Sequence, residues 1–366
     1  MVISILISTG FVSGVSVLLA LLLVIAEKKV LNYGPCEIDI NNGKKKIKTK
    51  GGGSLLFALA EEGVFIPSAC GGQGTCAYCK IKIPEGGGVI NPVEAPYLSP
   101  EELKENVRLC CQIRVRNDLK IQIPPELFLI KHYSGTLISK KQLTHDIIQL
   151  KIQLSDSQNM NFSAGQYVQL ESEEYNGINS VKRGYSIASS PENTREIVLI
   201  VRRVPHGICT TWVFDHLKTG QSVYLSGPYG EFMLSDTNAP AIFIAGGSGM
   251  APMLSMLEYI RFAGLRRKIT FFFGAVEQRD LFFTDELNNM QEQIPDFIFI
   301  PALSNEPSGS TWKGERGLIT EVVDRHFTDV SRHEAYLCGS PGMIDACLKV
   351  LIGKNIKQEN IFYDKF

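Results

Sequence analysis

Five of the nine cysteines lie close together in the sequence, between Cys70 and Cys111. Cys70, Cys76 and Cys79 form a C-x5-C-x2-C run, and the adjacent pair Cys110 and Cys111 follows later. Such clustering in a chain of this size favours a metal site over disulfides. Four thiolates suit a [2Fe–2S] cluster. Zinc is the alternative, but zinc sites usually combine two matched cysteine pairs, and here the fourth ligand stands apart from the other three.

The arrangement of three close cysteines and one distant cysteine resembles that of plant-type ferredoxins. The first gap is five residues here, instead of the four of the plant type. Glycines at positions 71, 72 and 74 let the loop wrap closely around a cluster and turn backbone N–H groups toward its sulfurs. In ferredoxin domains the distant ligand usually follows a small residue and precedes a glutamine. The resemblance therefore implies that Cys111, with Cys110 in the small-residue place, joins Cys70, Cys76 and Cys79 as the fourth ligand.

Three short motifs between residues 183 and 230 point to a flavin. Arg183-Gly-Tyr185-Ser186 resembles the R-x-Y-S motif of the ferredoxin–NADP reductase superfamily. The segment 207–210 resembles the second phosphate loop of that superfamily, and 227–230 matches its G-P-x-G turn. The resemblance implies FAD, with Arg183 holding the pyrophosphate, Tyr185 stacked on the flavin ring and Ser186 bonded near N5. It also implies FAD contacts from the phosphate loop, at Gly207, Cys209 and Thr210.

A glycine-rich turn at 246–249 follows a buried strand and precedes an apolar helix. Glycines there let the backbone approach a pyrophosphate, which the positive helix end also favours, although a tight packing turn would use the same residues. The run to Pro252 matches the G-G-x-G-x-x-P loop of the reductase superfamily, and 338–341 resembles its C-G-x-P element. The resemblance implies a bound nicotinamide dinucleotide, with Cys338 beside the nicotinamide ring and the terminal Phe366 over the flavin. The residues so assigned are Gly246, Gly247, Gly249, Met250, Pro252, Cys338, Gly339, Pro341 and Phe366. We expect Cys338, Phe366 and Ser186 to surround the reacting atoms.

The segment 277–280 bears on the choice between NADH and NADPH. A 2′-phosphate would be recognised by a cluster of basic side chains after the second strand of the nucleotide domain. This segment has one basic residue, Arg279, flanked by Glu277 and Asp280. The pattern favours NADH.

Strand and turn patterns indicate how these motifs are positioned. Alternating polar and apolar residues from 30 to 50, bent at Asn42-Gly43, predict a β-hairpin. Ser54 is placed to cap a short helix that runs to Ala60, and strands are expected at 81–83, 113–115 and 121–123. Pro124-Pro125 marks a boundary. Residues 28–127 are thus predicted to form an α+β domain, and the resemblance to ferredoxins implies that this domain is a β-grasp ferredoxin domain.

Two further domains follow from the change of pattern near residue 236. Residues 128–236 contain short, regularly spaced strands separated by turns, which predicts an antiparallel β-barrel. The motifs at 183–230 imply that this barrel binds FAD. Residues 237–366 alternate strands and helices, which predicts an α/β domain with a parallel sheet. The motifs at 246–252 and 338–341 imply that this domain binds NADH. Its last strand is expected at 335–338.

The chain begins with an apolar segment that has no charged residue from Val2 to Ala26. At about 1.5 Å per helical residue, this segment can cross a hydrocarbon layer of about 30 Å. A cleaved signal peptide is the alternative, but the basic start and a convincing cleavage site are missing. Lys28 and Lys29 follow directly, so the positive-inside rule places the later domains in the cytoplasm. Residues 1–27 are predicted to be a single transmembrane helix.

The order of anchor, ferredoxin domain, flavin barrel and nicotinamide domain resembles that of the F subunits of sodium-translocating NADH:quinone oxidoreductases. Close matches are Cys-Gly-Gly-x-Gly-Thr-Cys and the run 247–253. The chain departs from the family pattern by shorter segments between Tyr167 and Arg183 and around Pro205. It also has Arg-Gly-Tyr-Ser for Arg-Ala-Tyr-Ser, and Cys-Gly-Ser-Pro for Cys-Gly-Pro-Pro.

That resemblance implies an enzyme of the bacterial inner membrane. Electrons would pass from NADH through FAD and the [2Fe–2S] cluster to integral membrane subunits and a quinone. A reductase that serves a multicomponent oxygenase would share every cofactor motif and is the main alternative. A ferredoxin-like binding module with a degenerate reductase tail would bind no FAD and oxidise no NADH. The net charge of −1 gives no reason to expect nucleic acid as a partner.

Overall fold

The structure is a computed structural model, and it describes residues 13–19, 33–68, 70–124, 127, 130–307 and 309–365. Residues 13–19 are helical. In the described part of the chain, no helix is both long enough and apolar enough to cross a membrane. The rest of the apolar segment lies outside the described residues, and so does Phe366. The chain divides into two compact units, Met1–Leu129 and Ile130–Phe366.

The first unit is a five-stranded mixed sheet with a short helix packed on one face. Its strands are β1 (Pro35–Ile40), β2 (Lys45–Lys50), β3 (Lys80–Glu85), β4 (Val107–Leu109) and β5 (Leu119–Gln122), and its helices are α1 (Leu55–Glu61) and α2 (Pro100–Lys104). The sheet order is β2-β1-β5-β3-β4, with β1 parallel to β5. The inward side chains of the sheet pack with the buried face of α1 to form the core. The predicted hairpin is confirmed by the antiparallel pairing of β1 with β2.

The predicted strand at 113–115 is wrong, because its backbone groups pair with the approach to α1 and not with the sheet. Leu55 N donates to Ile113 O at 2.8 Å, and Val115 N donates to Gly53 O at 2.9 Å. The segment makes only an isolated bridge with residue 54. Strand β4, which leads directly to the distant cysteines, was not predicted.

The second unit begins with an antiparallel barrel, as predicted. Its strands are β6 (Lys131–Gln142), β7 (Ile147–Leu154), β8 (Tyr167–Glu171), β9 (Lys182–Ser186), β10 (Glu196–Arg202) and β11 (Ser222–Tyr229). They hydrogen-bond in the order β10-β7-β6-β11-β8-β9. The bridge between Ile187 and Leu199, together with the bond from Ala188 N to Val198 O at 2.8 Å, joins the two ends of this sheet. Helix α3 (Ile208–Thr211) follows β10 and continues into a π-helical turn, Trp212–His216.

The same unit continues as a parallel α/β sheet, also as predicted. Its strands are β12 (Ala241–Gly246), β13 (Ile269–Ala275), β14 (Phe297–Leu303), β15 (Glu315–Arg316), β16 (Glu334–Gly339) and β17 (Ile361–Lys365). The helices are α4 (Met250–Ala263), α5 (Thr284–Gln293), α6 (Ile319–His326) and α7 (Pro341–Gly353). The order is β15-β14-β13-β12-β16-β17. The expectation that the strand at 335–338 would be the last is wrong, since β17 adds to β16 as a parallel edge strand.

Both faces of this parallel sheet are covered, which explains the continuous apolar run in β12. Phe243 and Ala245 face one hydrophobic cluster, with α4 and α5, while Ile242 and Ile244 face the other, with α6 and α7. Parallel strands buried on both faces have no polar side to alternate with. The strand ends, not the strand centres, are therefore free to carry function.

Candidate redox centres and nucleotide cleft

The four predicted cysteine ligands lie in two pairs, with Cys70, Cys76 and Cys79 on the loop after α1 and Cys111 just after β4. Cys76 Sγ lies 3.3 Å from Cys70 Sγ, within hydrogen-bond reach. Cys79 and Cys111 form the second pair, joined by a hydrogen bond between their side chains. Gln112 Nε2 donates to Cys111 Sγ at 3.4 Å. Among the described residues, no three ligating side chains surround a point that could hold a single metal ion. A zinc ion needs four ligands that converge on one point, whereas two thiol pairs that do not converge suit the two irons of a [2Fe–2S] cluster.

In each pair one cysteine has a lowered pKa, which favours its thiolate, and the thiolate is the form that binds iron. The hydrogen bond from Cys76 lowers the pKa of Cys70 to about 3, and the one from Cys79 lowers the pKa of Cys111 to about 7. The donors Cys76 and Cys79 have raised pKa values for the same reason. By contrast, Cys110 is fully buried in the core of the first unit, and burial raises the pKa of its thiol.

Three glycines shape this loop, and another residue at their positions would strain the backbone. Gly71, Gly72 and Gly74 have φ values of +66°, +91° and +78°, in the left-handed region. A Cβ at Gly74 would lie 2.6 Å from Gln112 Nε2. Ser68 Oγ accepts from Gly72 N at 2.9 Å and lies 3.9 Å from Cys70 Sγ. The donor set and this close backbone approach fit an iron–sulfur cluster held by the four cysteines.

Ser54 has a different role from the one expected of it. It stands at the N-cap position of α1, but its hydroxyl makes no capping bond to the helix. Instead Ser54 Oγ donates to Cys111 O at 3.3 Å. The residue therefore ties the start of α1 to the distant cysteine, a contact between residues far apart in sequence.

Two of the three flavin motifs are in contact beside β9. Strand β9 carries Arg183, Tyr185 and Ser186, and pairs with β8 so that Tyr185 lies opposite Val168. Burial raises the pKa of the Tyr185 hydroxyl well above its usual value, and a hydrogen bond with the Cys209 thiol adds to the effect. Burial likewise raises the pKa of Cys209. The structure thus places two separate sequence motifs in direct contact.

The phosphate loop before α3 is tightly built. Thr210 Oγ1 donates to Gly207 O at 3.2 Å and accepts from Val204 N at 3.2 Å, so its hydroxyl holds the turn together. A Cβ at Gly207 would lie 2.6 Å from the same hydroxyl. With the guanidinium of Arg183 and the aromatic Tyr185 close by, these residues fit the pyrophosphate and ring of FAD.

A cleft of about 580 Å³ lies at the carboxyl ends of the parallel strands. It extends from the ends of β13 and β14 across β12 to the end of β16. The chain leaves β12 to one side of the sheet and reaches β16 on the other. Such a switch point is where open parallel sheets bind nucleotides. Of the predicted residues, Gly246 and Gly247 line this cleft. Met343, which the motifs did not indicate, lines it as well.

The other residues predicted for this site that the structure describes do not line the cleft, and most of them are buried next to it. Gly249, Met250, Pro252, Cys338 and Gly339 are buried beneath the turn, and Pro341 is exposed at the start of α7. A Cβ at Gly249 would overlap the Cys338 carbonyl, so glycine is needed for the turn to pack on β16. Burial raises the pKa of the Cys338 thiol well above its usual value, and this thiol is therefore uncharged.

The barrel also contributes to the cleft, which no local pattern indicated. The turn between β6 and β7, at 144–147, lines the cleft together with Arg202 at the end of β10. His145 Nδ1 lies 3.5 Å from Asp280 Oδ1, so this turn reaches the loop after β13. Arg279 Nε lies 2.9 Å from Glu277 Oε2, and the only basic side chain of that loop is already paired.

Three family models match consecutive parts of the chain. A 2Fe-2S iron-sulfur cluster binding domain covers residues 38–116, an oxidoreductase FAD-binding domain covers 134–234, and an oxidoreductase NAD-binding domain covers 243–349. The chain is an oxidoreductase, and its predicted cofactor classes are confirmed: a [2Fe–2S] cluster, FAD and a nicotinamide dinucleotide.

Curated relatives match over nearly the whole length. The F subunit of the Na(+)-translocating NADH-quinone reductase of Neisseria meningitidis serogroup C is 35% identical, and the match covers 95% of this chain and 96% of the relative. The chain belongs to this family of F subunits. The corresponding protein of Actinobacillus succinogenes is 34% identical over 98% of this chain and 97% of its own. The Neisseria alignment runs over 391 positions, so that relative carries residues which this 366-residue chain lacks.

Solved structures support the same architecture for this member of the F-type reductase subunits. The Amycolatopsis cytochrome P450 reductase GcoB has a TM-score of 0.73 and 27% identity, covering 90% of this chain and 98% of its own. A ferredoxin reductase in carbazole 1,9a-dioxygenase has a TM-score of 0.70 and 26% identity, covering 91% and 98%.

Proposed function

We propose that this protein is the NADH-oxidising component of a sodium-translocating NADH:quinone oxidoreductase. The observation that carries the proposal is identity of 34–35% to proteins of that name over at least 95% of both chains. The match to the Actinobacillus protein covers 98% of this chain. The alignment therefore includes most of the apolar segment 2–26. The ferredoxin, flavin and nicotinamide domains would be residues 28–127, 128–236 and 237–366.

In this proposal each group of residues holds one redox partner. NADH binds in the cleft of the α/β domain, FAD binds at Arg183, Tyr185, Ser186 and the loop 207–210, and the four cysteines hold the cluster. The bound cofactors supply the redox chemistry, hydride acceptance by flavin and single-electron transfer by iron–sulfur. The chain positions them and excludes water. Cys338, Ser186 and Phe366 are proposed to surround the reacting atoms, and no acid–base residue is needed.

The ion pair after β13 supports NADH as the substrate. A 2′-phosphate would meet the carboxylates of Glu277 and Asp280, while Arg279 already pairs with Glu277. The ribose hydroxyls of NADH suit such an acidic loop, because a carboxylate accepts their hydrogen bonds. We expect flavin reduction to be much faster with NADH than with NADPH.

We propose that residues 1–27 form a single transmembrane helix in the bacterial inner membrane, with the other domains in the cytoplasm. The uncharged segment 2–26 and the following Lys28 and Lys29 support this topology. The partners would be integral membrane subunits, and the final acceptor a quinone. The names of the relatives, as one subunit of a larger reductase, support membership in such a complex.

A second candidate is a reductase that feeds an oxygenase. The solved structures with TM-scores of 0.73 and 0.70 favour it, since they are named as a cytochrome P450 reductase and as the ferredoxin reductase of a dioxygenase. They leave about a tenth of this chain unmatched, whereas the F-subunit relatives cover it almost completely.

Affinity purification of the tagged full chain from detergent-solubilised membranes distinguishes the two functions. We expect co-purification of integral membrane subunits and NADH-dependent quinone reduction by the isolated complex. Recovery from the soluble fraction, with electron delivery to an oxygenase and none to quinone, would support the second candidate instead.

A further inference from the structure

The β1–β2 hairpin of the first unit carries a concentration of positive charge. Residues 35–50 contain five lysines and two carboxylates and have a net charge of +3, in a chain whose net charge is −1. The five lysines are Lys44, Lys45, Lys46, Lys48 and Lys50. None of the residues assigned to a cofactor lies in this hairpin, so the redox reaction does not account for its charge.

Three of these lysines share the outer face of β2, and we call Lys46, Lys48 and Lys50 the lysine face. Ile47 is 2% exposed and points into the core, so the alternation of a strand turns Lys46, Lys48 and Lys50 outward. Strand β2 forms one edge of the sheet, and β4, which leads to Cys111, forms the other. A flat surface can therefore meet the lysine face without covering the end of β4.

The neighbouring strand neutralises only part of this charge. Lys46 Nζ lies 2.8 Å from Glu37 Oε1, in an exposed ion pair of the kind that contributes little to stability. Among the residues that the structure describes, no carboxylate lies within ion-pair distance of Lys48 or Lys50. These two ammonium groups are exposed and can bind an external anion.

The lysine face is also close to the proposed membrane anchor along the chain. Residues 27–33 join the apolar segment to Gly34, and a link of that length spans at most about 28 Å. Gly51 N donates to Gly34 O at 2.8 Å, and Pro35 is paired with Lys50, so the link enters the domain beside one end of the lysine face. The cytoplasmic leaflet carries anionic headgroups, which attract lysine within about 8 Å at physiological salt. The short link holds the lysine face near enough to reach them.

We propose that the lysine face docks on anionic lipid headgroups of the membrane, with Lys48 and Lys50 as its main contacts. This inference rests on the proposed transmembrane helix at 1–27. Each lysine near an anionic surface favours the docked state about fivefold, so the two together favour it about 25-fold. Docking holds the [2Fe–2S] domain by the sheet edge opposite β4.

Lysine acetylation of the full chain in lipid nanodiscs tests this docking. The discs contain phosphatidylcholine alone or mixed with anionic phosphatidylglycerol, and mass spectrometry gives the acetylation rate of each lysine. We expect Lys48 and Lys50 to react about fivefold or more slowly in the anionic discs, and Lys44 to be protected with them. High salt should abolish the protection, because it screens exposed charges. The exposed Lys104, in α2 beside β4, should react at the same rate in both discs.

A double variant separates docking from a general effect of the lipid on the reagent. Lys48→Gln combined with Lys50→Gln should remove most of the protection of Lys44 and keep the absorbance of the cluster and of FAD. Lys104→Gln combined with Lys349→Gln is the matched control, because it removes the same charge at two other exposed positions. In this control the protection of Lys44 should remain.

Equal acetylation rates in the two kinds of disc, in a chain that enters both, would overturn the inference. Equal loss of protection in the two double variants would overturn it as well. Protection that depends on added membrane subunits and not on the anionic lipid would assign the lysine face to an acidic partner protein instead. A chain that enters neither disc would show that the proposed transmembrane helix is wrong, and the docking inference would fail with it.

Discussion

Cys111 differs from its neighbour Cys110 in what its sulfur contacts. The Cys111 sulfur meets Cys79 and the amide of Gln112, and its pKa is lowered to about 7. The Cys110 side chain points into the apolar core and is uncharged, since burial raises its pKa. A resemblance to ferredoxins suggested the same choice, but the sequence alone could not show which of two adjacent thiols faces the loop.

We expect Cys111→Ala and Cys76→Ala to lose the absorbance and EPR signals of the [2Fe–2S] cluster. Both variants should retain FAD and its reduction by NADH, because the flavin and nucleotide residues lie in the other unit. Cys110→Ala is the matched control and should retain the cluster. Loss of the cluster in Cys110→Ala with its retention in Cys111→Ala would reverse the assignment.

Glu334 is a buried carboxylate at the start of β16 that joins the barrel to the α/β sheet. Its oxygens accept from Ser235, Thr237, Tyr336 and Arg267. Burial raises the pKa of this carboxyl, but the four hydrogen bonds bring it down to about 2. Because the pKa in the folded state is depressed, the charge stabilises the fold above the unfolded pKa, and this stabilisation is lost as pH falls toward 2.

Glu334→Gln should therefore destabilise the folded state by about 2–4 kcal/mol at pH 7. The difference in the free energy of unfolding between the two proteins should shrink by about 1 kcal/mol at pH 4, where the unfolded carboxyl is partly protonated. Urea unfolding of the full, FAD-loaded chains at both pH values measures this difference in the free energy of unfolding. A difference that stays constant or grows on acidification would show that the charge of Glu334 is not responsible.

At the scale of elements, the turn from β12 into α4 decides how the nucleotide cleft is built. Gly249 has an ordinary helical φ of −60°, so alanine is allowed by the backbone but not by the space against Cys338 O. Overpacking against backbone cannot be relieved by a side-chain rotation. Gly342, in the first turn of α7, has nothing within 4 Å of its Cβ position.

We expect Gly249→Ala to lower the free energy of unfolding by about 3 kcal/mol and to weaken NADH binding at least about tenfold. Gly342→Ala should change stability by less than about 1 kcal/mol, in the stabilising direction, because alanine favours a helix. Thermal unfolding and NADH titration of both variants provide the comparison. Similar behaviour of the two variants would contradict the close packing described for Gly249.

Elements with strong local patterns were predictable from the sequence, and elements defined by distant partners were not. The turn residues of the hairpin β1–β2 lie between its two strands in the sequence, and β12 is an apolar run directly followed by glycines. Both patterns are local and can be read from the sequence. The segment 113–115 has the alternation of a strand but pairs with the approach to α1. Strand β17 is short and becomes a strand only by joining β16. For the same reason, no local pattern indicated Arg202, which lines the nucleotide cleft from the end of β10.

At the scale of the whole molecule, the order of domains is the most informative feature. Each motif alone is shared with many reductases, as the similarity to oxygenase reductases shows. The nearly complete coverage by the F-subunit relatives is what separates the two functions. No residue pattern in the sequence indicates the coupling ion or the quinone.

We propose that NADH reduces FAD and that the cluster then receives the electrons. Anaerobic stopped-flow absorbance of the full chain in detergent micelles, mixed with NADH, tests it most directly. We expect rapid bleaching of the flavin, followed by a slower phase of cluster reduction that is missing in Cys76→Ala. With NADPH the first phase should be much slower. Flavin that stays oxidised with NADH, or cluster reduction that precedes flavin reduction, would contradict the account.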